Sequence, residues 1–262
     1  MTPSLVHVVG AGLAGLAAAV RLAGAGVAVA LHEAAQHAGG RCRSYFDATL
    51  GCRLDNGNHL LLSGNRAAMA YVAAIGANAT FSPPGAAVFP FLDLASGERW
   101  VLRPGGGRAP WWLFDPRRRI PGTKPREYLA ALRLLRAGRE ATVTELLDRE
   151  TQLYRRFWRP VAVAALNTTP EEGSAALLGR VLAESFLRGA AACRPLLPRD
   201  GLSESLIDPA LAALDRKSVA LGFAHRLRAV EFTGERACGL AFEGAREPIG
   251  AEEAVLLAVP AP

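Results

Sequence analysis

The sequence predicts an α/β fold in which a parallel β-sheet with flanking helices is interrupted by an inserted, mainly α-helical domain. Three observations predict it: the N-terminal residues alternate strand, glycine turn, helix and strand, the middle has helical apolar spacing, and the C-terminal residues return to short apolar strands. A chain of 262 residues with 50% hydrophobic side chains can bury one large core or a core with a satellite domain. We therefore assign residues 1–80 and 201–262 to the sheet domain and residues 81–200 to the insertion.

A glycine motif follows the first predicted strand. Residues 5–9 are a short apolar run, Gly10-x-Gly12-x-x-Gly15 comes next, and residues 16–23 have helical character. In dinucleotide-binding folds the first glycine permits a sharp turn, the second lets a pyrophosphate approach the backbone, and the third lets the helix pack closely on the strand. The N-terminus of that helix also presents free N–H groups and a partial positive charge to phosphates. The motif predicts a Rossmann-like site at Gly10, Gly12 and Gly15.

An acidic residue follows the second predicted strand. Residues 27–31 are apolar, and Glu33 comes eighteen residues after Gly15. A carboxylate here accepts hydrogen bonds from a ribose diol and disfavours a 2′-phosphate, so FAD or NAD fits better than NADP. The alternative interpretation of residues 5–20 as a secretory signal fails, because a basic n-region is lacking and turn-spaced glycines make a poor apolar core.

A second glycine motif, Gly39-Gly40-Arg41-x-x-Ser44, stands where a plain NAD domain would begin its next helix. The two glycines let the backbone approach a cofactor, and Arg41 supplies a fixed fork of donors for phosphate or flavin oxygens. With this motif the chain resembles the flavin amine oxidase and phytoene desaturase superfamily, whose second fingerprint reads Arg-x-Gly-Gly-Arg-x-x-Ser. His37 replaces the first arginine of that pattern. The resemblance implies FAD as the cofactor, with Gly39, Gly40, Arg41 and Ser44 among its ligands.

A third segment, Asp55-Asn56-Gly57-x-His59 with leucines on both sides, narrows the resemblance. It is similar to the squalene-associated branch of the superfamily, the hydroxysqualene dehydroxylases, in which an Asp-x-Gly segment lies beside the flavin ring. The resemblance implies cofactor contacts at Asn56 and Gly57, and it makes Asp55 and His59 the candidate proton donors. From the residues alone, Asp55-Asn56-Gly57 is more typical of a hairpin turn.

Later segments resemble the same branch in the same order, namely residues 157–160, 165–168, 206–210 and 255–260. The stretch from residue 218 to residue 230 resembles the strand beside the adenine and implies a backbone contact at Leu227. Members of the superfamily continue with a segment that closes over the flavin. We therefore expect a C-terminally truncated chain with an incompletely covered flavin cleft.

The resemblance implies a reductive reaction on a thirty-carbon isoprenoid. The hydroxyl group of hydroxysqualene is replaced by a hydride from reduced flavin and leaves as water, which yields squalene for hopanoid-type biosynthesis. One alternative is a carotenoid or phytoene desaturase, or an amine oxidase, on the same scaffold. Another is an inactive fragment that binds FAD weakly.

The middle of the chain is predicted to be mainly helical and rich in aliphatic side chains, which suits a tunnel for an oily substrate and equally an ordinary core. Helices are predicted at residues 65–76, at residues 151–166 with an interruption at Pro160, and from residue 126. In the last of these, Tyr128-Leu129, Leu132 and Leu135 share a face. Ser96-Gly97 predicts a hairpin turn, Thr142-x-x-Glu145 a capping box, and Thr169-Pro170-x-Glu172 a helix start.

Positive charge is concentrated between Arg103 and Arg139, where ten basic residues face two acidic ones although the whole chain carries a net charge of only +6. This segment contains an aromatic and basic cluster: Trp111, Trp112, Phe114, Arg117, Arg118 and Arg119. Aromatic rings favour the headgroup boundary and basic residues are attracted to anionic lipid, so the cluster predicts peripheral membrane contact. The alternative is a solvated loop whose tryptophans fold back onto the core. Nucleic-acid binding is disfavoured, because the charge is not spread along one face.

The cysteines show neither paired nor metal-binding spacing; they are Cys42, Cys52, Cys193 and Cys238. We expect reduced thiols, no disulfide framework and no metal site. No run reaches eighteen apolar residues. The sequence therefore predicts a cytoplasmic protein that contacts the inner face of the membrane peripherally.

Overall fold

A computed structural model describes residues 2–57, 60–82, 85–107 and 109–260. The chain forms two compact units: unit 1 comprises the described residues of Met1–His59, Ala67–Ser82 and Leu197–Pro262, and unit 2 those of Leu60–Arg66 and Pro83–Leu196. Residues 60–66, which the sequence assigns to the sheet domain, belong to unit 2. The reason is a pairing that sequence does not reveal, since strand β5 (Leu61–Leu62) runs antiparallel to β8 (Pro195–Leu196).

A four-stranded parallel sheet forms the centre of unit 1, with the strand order β13-β1-β2-β9. The predicted parallel sheet with flanking helices is thereby confirmed. Helix α1 joins β1 to β2, and its buried face includes Leu16 and Ala19. The elements are β1 (Leu5–Val9), α1 (Leu13–Gly24), β2 (Ala28–His32), α7 (Asp208–Asp215), β9 (Ala220–Gly222) and β13 (Glu253–Leu257).

Unit 1 also contains a three-stranded antiparallel sheet of β10 (Leu227–Thr233), β11 (Arg236–Phe242) and β12 (Ala245–Pro248). An apolar cluster containing Val9, Leu240, Phe242 and Ile249 joins this sheet to the parallel one. A short hairpin pairs β3 (Ser44–Asp47) with β4 (Cys52–Asp55). The predicted helix before Gly76 is confirmed as α2 (Arg66–Ala74).

Unit 2 combines a hairpin with short helices around an aromatic core that includes Trp100, Phe157 and Trp158. The predicted hairpin is confirmed, with Gly97 at a φ of +71° in its turn. Its elements are β6 (Phe89–Leu92), β7 (Arg99–Leu102), α3 (Ala131–Leu135), α4 (Val143–Leu146), α5 (Arg159–Leu166) and α6 (Ala175–Glu184). Among the described helices, none combines the length and apolar composition needed to cross a bilayer.

Two predictions for unit 2 are wrong. Helix α6 is capped by Ser174 and not by Thr169, because residues 173–175 are held extended by bonds from Val143 N–H to the carbonyl of Gly173 (3.0 Å) and from Ala175 N–H to the carbonyl of Ala141 (2.9 Å). The predicted shared face is split: Tyr128 is buried, whereas Leu129, Leu132 and Leu135 are exposed. Leu134 is buried in their place. Residues Pro125–Ala130 form a 3-10 helix, whose three-residue turn changes the buried face.

Prolines do not break two of the helices. A π-helical turn at Tyr154–Trp158 precedes Pro160, and another at Ser203–Ile207 precedes Pro209. A proline ring clashes with the carbonyl four residues earlier, and the wider π turn moves that carbonyl away. The interruption predicted at Pro160 is therefore a local widening, after which α5 continues.

Candidate functional site

The first glycine motif packs tightly at two of its three glycines. Gly10 has a φ of +104°, and a methyl group on it would lie 2.6 Å from the carbonyl oxygen of Ala258. A methyl group on Gly15 would overlap the carbonyl oxygen of Gly10. The structure thus gives Gly10 and Gly15 the turn and packing roles that the motif predicts.

Gly12, in contrast, faces open space. A methyl group there would meet no described atom within 4 Å, and no side chain caps the N-terminus of α1. The second motif runs alongside: Gly39 N–H donates to the carbonyl of Ala11 (2.8 Å), and a methyl group on Gly40 would lie 3.5 Å from Gly12 Cα. The two motifs form one surface of bare backbone at a helix N-terminus, which fits the pyrophosphate of a dinucleotide cofactor.

Glu33 is held at the end of β2 by two backbone donors. Its Oε2 accepts from Ala11 N–H (2.7 Å) and its Oε1 from Ala35 N–H (2.8 Å). Each carboxylate oxygen has a second lone pair, so the group still has acceptor capacity for a ribose diol. The bonds fix the carboxylate beside the glycine surface, where the sequence predicts it.

Leu227 begins β10 and packs against the apolar cluster between the two sheets. The segment just before it runs beside Glu33, because His225 N–H donates to the carbonyl of Glu33 (2.8 Å) and Ala224 N–H to that of Ala35 (2.9 Å). This brings residues 224–227 to the Glu33 side of the glycine surface. A cofactor contact at the Leu227 backbone stays a prediction.

The side chains of Ser44 and Asp55 bind each other. Ser44 Oγ donates to Asp55 Oδ1 (2.6 Å), and the same oxygen accepts from Leu202 N–H (2.9 Å). Ser44 N–H in turn donates to Ser203 Oγ (2.8 Å). These bonds tie β3 and β4 to the start of the helical segment at residue 202, so both side chains order the loop that carries the second motif.

Asn56 also binds this loop, with Nδ2 donating to the carbonyl of Arg41 (3.0 Å) and its N–H to that of Arg43 (2.9 Å). The Arg41 side chain is exposed, and it makes no hydrogen bond or ion pair with the described part of the chain. The guanidinium is therefore available to an anionic ligand, as the motif predicts. Gly57 is half-buried beside Asn56, and the predicted cofactor contacts of both residues stay predictions. His59, the other candidate proton donor, lies outside the described residues.

Cys42, inside the second motif, is a buried thiol whose chemistry the sequence did not predict. Burial, with a smaller effect from the Asp55 carboxylate, raises the pKa of Cys42 to about 11. The thiol is therefore neutral at physiological pH and is a poor nucleophile.

Sequence reasoning also missed a histidine cluster. His7 and His32 are buried between the two sheets of unit 1, with Glu247 and His225 beside them. Burial lowers the pKa of His32, against an opposing effect from the Glu247 carboxylate. The residues lie far apart in sequence and share no motif, so no local signal identifies them.

The aromatic and basic cluster is only partly exposed. Trp111 and Phe114 are 75% and 66% exposed, with ring centroids 6.1 Å apart, whereas Trp112 packs edge-on against Tyr128. Arg118 and Arg119 donate to backbone carbonyls of unit 2, and the Arg117 side chain is 89% exposed. Of the six predicted contact residues, Trp111, Phe114 and Arg117 form the exposed patch.

Comparison with known proteins places the chain among flavoproteins. The model of the flavin containing amine oxidoreductase family matches residues 13–262. The hydroxysqualene dehydroxylase of Rhodopseudomonas palustris is 49% identical over 256 residues, which are 97% of this chain and 61% of that protein. That of Sinorhizobium fredii is 44% identical over 258 residues, with 98% and 62% covered. The chain thus spans about three fifths of the length of the curated relatives it matches.

Solved structures of similar fold are more distant in sequence. An oxidoreductase from Methanosarcina mazei gives a TM-score of 0.70 at 14% identity, covering 95% of this chain and 58% of that one. The cyclohexylamine oxidase of Brevibacterium oxydans gives 0.63 at 17% identity, covering 97% and 57%. At these identities the likeness extends to the fold alone.

Proposed function

The chain belongs to the flavin-containing amine oxidoreductase family, and from that premise we propose that it acts as a hydroxysqualene dehydroxylase. The cofactor is FAD. The observation that carries the proposal is the 49% identity to a hydroxysqualene dehydroxylase across 97% of this chain. The proposed reaction removes the hydroxyl group of hydroxysqualene to give squalene.

The described residues supply a binding surface for this cofactor. Gly12 and Gly40 leave the backbone bare at the N-terminus of α1, where N–H groups would bind the pyrophosphate. Glu33 would accept hydrogen bonds from the ribose, and the exposed Arg41 would donate to phosphate or flavin oxygens.

In the proposed reaction the C–O bond of the substrate breaks, a C–H bond forms, and the hydroxyl takes up a proton and leaves as water. Reduced FAD, held by the Gly12 and Gly40 backbone, Glu33 and Arg41, would supply the hydride. The protein must supply the proton, and His59 is the candidate because an imidazole titrates near neutral pH. Asp55 acts as a positioning residue, since its Oδ1 already accepts two hydrogen bonds.

Replacing His59 by alanine should lower turnover about 100-fold, whereas His37→Ala should leave it unchanged.

The cofactor site is tested by Gly12→Ala. The added methyl group meets no described protein atom, but alanine is a poorer N-cap than glycine, so the free energy of unfolding should fall by only about 0.5–1 kcal/mol. It would project into the space assigned to the pyrophosphate, so FAD affinity should fall at least tenfold. FAD binding is read from the flavin absorption spectrum after desalting, with Gly24→Ala as the control. Equal FAD affinity in the two variants would contradict the proposed pyrophosphate site.

The substrate is tested by product analysis under anaerobic conditions. FAD-loaded protein reduced with dithionite should convert hydroxysqualene to squalene, and oxidised protein should neither desaturate phytoene nor oxidise putrescine. Turnover of phytoene or of putrescine without squalene formation would favour the desaturase or amine oxidase alternative. If the protein fails to retain FAD, the alternative of an inactive, weakly binding fragment is favoured.

We also propose that Trp111, Phe114 and Arg117 contact a membrane surface and that the protein is cytoplasmic and membrane-peripheral. The patch combines two exposed rings with the exposed side chain of Arg117, whose Nε pairs with Asp115 Oδ1 at 3.3 Å. A thirty-carbon substrate supports membrane contact, because each methylene favours an apolar environment by about 0.8 kcal/mol. The substrate therefore partitions into the bilayer.

Flotation with vesicles of phosphatidylcholine and phosphatidylglycerol tests this contact. Binding should fall with rising salt and should be lost in the Trp111→Ala/Phe114→Ala double variant. Leu94→Ala is the matched control, because Leu94 is 88% exposed at the hairpin of the same unit. Equal flotation of the double variant and the control would contradict the proposed surface.

A further inference from the structure

Five side chains with metal-binding chemistry meet between the two sheets of unit 1. His7 lies on β1 and His32 at the end of β2, and the two rings are stacked with centroids 5.6 Å apart. Glu247 on β12, His225 and Glu253 surround them. His7 is 1% exposed and His32 6% exposed, an unusual degree of burial for two polar rings side by side.

The two nitrogens in this cluster are spaced like neighbouring ligands of a zinc ion, and a carboxylate lies beside both. Nδ1 of His7 lies 3.3 Å from Nε2 of His32, Oε1 of Glu247 lies 3.7 Å from Nδ1 of His7, and Oε2 of Glu247 lies 3.7 Å from Nε2 of His32. Zinc bonds of 2.0–2.1 Å in tetrahedral geometry place neighbouring ligand atoms about 3.3–3.4 Å apart. The two nitrogens are thus at a metal-bound separation, and one atom from each of the three residues lies within 4.8 Å of the others.

The outer nitrogens of both rings also have polar partners, and that of His7 is a carboxylate. Nε2 of His7 lies 3.4 Å from Oε2 of Glu253, and Nδ1 of His32 lies 3.3 Å from Nδ1 of His225. A carboxylate on the outer nitrogen fixes the tautomer of a ligating histidine and increases its basicity. With Nε2–H of His7 donating to Glu253, the Nδ1 lone pair points toward His32 and Glu247.

We propose that His7, His32 and Glu247 form a binding site for a divalent transition-metal ion, with zinc as the best fit. Two imidazoles and one carboxylate suit zinc and leave a fourth position for water. The Glu247 side chain is 37% exposed, which provides an entry path from solvent. Because the ligands come from β1, β2 and β12, the ion stabilises the contact between the two sheets. The proposal is independent of the proposed activity.

The test compares zinc binding in the wild-type protein and in Glu247→Gln. Protein freed of metal with a chelator is loaded with zinc and desalted, its zinc content is measured by mass spectrometry, and its affinity is measured by competition with a chromophoric chelator. We expect one zinc per chain, and an affinity at least tenfold lower in Glu247→Gln. Glu235→Gln is the matched control, because Glu235 is exposed at the turn between β10 and β11 of the same sheet.

Cobalt substitution identifies the ligands. Four-coordinate cobalt bound to nitrogen and oxygen should give visible absorption bands without the near-ultraviolet charge-transfer band of a thiolate. Zinc should also raise the melting temperature of the wild type and of Glu235→Gln more than that of Glu247→Gln at the same free zinc concentration. Wild-type protein that retains no zinc would overturn the proposal, and so would equal zinc affinity in Glu247→Gln and the control. A thiolate band would also overturn it, since the metal would then be bound by cysteine.

Discussion

Gly15 and Gly24 lie on the same helix, but their surroundings differ. A methyl group on Gly15 would overlap the Gly10 carbonyl, whereas one on Gly24 would meet no described atom within 4 Å. We expect Gly15→Ala to lower the free energy of unfolding by about 1–3 kcal/mol, because backbone cannot move aside as a side chain does. Gly24→Ala should raise it by up to about 1 kcal/mol through reduced backbone entropy in the unfolded state.

Chemical unfolding of the two variants measures both effects, and FAD retention provides an independent readout for Gly15→Ala. Displacement of α1 from Gly10 would move the helix N-terminus at which we propose that the pyrophosphate binds, so FAD should also bind more weakly. A Gly15→Ala protein as stable as Gly24→Ala would show that the contact between helix and strand is looser than the structure describes.

Cys193 makes the stability of unit 2 depend on pH. It is fully buried, and burial raises the pKa of its thiol to about 11 from an ordinary value of 9.0. Between pH 9 and 11 the unfolded chain loses this proton while the native protein keeps it, so stability should fall as pH rises, by roughly 1.4 kcal/mol per pKa unit. Unfolding followed by tryptophan fluorescence reports unit 2, because all four tryptophans lie in it.

Two variants isolate the contribution of this thiol. Cys193→Ala should have a clearly smaller loss of stability between pH 8.5 and 10.5, while Cys52→Ala, at an exposed position, should retain the wild-type loss. An unchanged pH dependence in Cys193→Ala would assign the loss to other groups.

Separation along the chain decides which site residues can be predicted from the sequence. Gly10, Gly12, Gly15 and Glu33 lie within one strand-helix-strand unit, so their spacing alone predicts that they meet. The structure brings them together as expected. His7 and Glu247 are 240 residues apart in sequence, and their contact depends on the packing of β12 on the parallel sheet. No motif spacing in the sequence predicts such a contact.

At the scale of the element, Ser174 and Thr169 both look like helix caps in the sequence, but only Ser174 caps α6 in the structure. Ser174 Oγ accepts from Leu177 N–H at the true start of the helix, whereas Thr169 lies in the preceding turn. We expect Ser174→Ala to cost about 1 kcal/mol and Ser174→Asp to cost little, because aspartate is an equally good cap. Thr169→Ala should be nearly neutral. Unfolding measured by tryptophan fluorescence checks all three variants. If Thr169→Ala lowered the free energy of unfolding more than Ser174→Ala, the helix start predicted at Thr169 would be correct.

The π turns before Pro160 and Pro209 show why helix boundaries are harder to predict than helices. Proline is a reliable sign that an α-helical hydrogen bond is missing, and the sequence interprets Pro160 in that way. Whether the helix ends or widens depends on the packing of the preceding residues. At Pro160 those residues include Phe157 and Trp158, which are buried in the aromatic core of unit 2 and favour continuation.

At the scale of the whole molecule, the division into two units follows from composition and pattern, but its boundaries do not. Helical spacing in the middle of the chain indicates a separate body, whereas residues 60–66 join it through a pairing of two-residue strands. Strands of two residues have no alternation that a sequence could display. Their partner lies more than 130 residues away, so only tertiary structure identifies it.

The assignment of FAD to unit 1 predicts where the cofactor stabilises the chain. A ligand that binds only the native state stabilises it by about 2.7 kcal/mol at a free concentration of 100 times its dissociation constant. Hydrogen exchange locates this effect. With FAD present, amides at the N-terminus of α1 and in residues 33–44 should exchange more slowly, and those of α4 and α6 in unit 2 should change less. The Gly12→Ala variant should show little protection at the same FAD concentration. Protection as strong in α4 and α6 as in α1 would contradict a cofactor site built on the two glycine motifs.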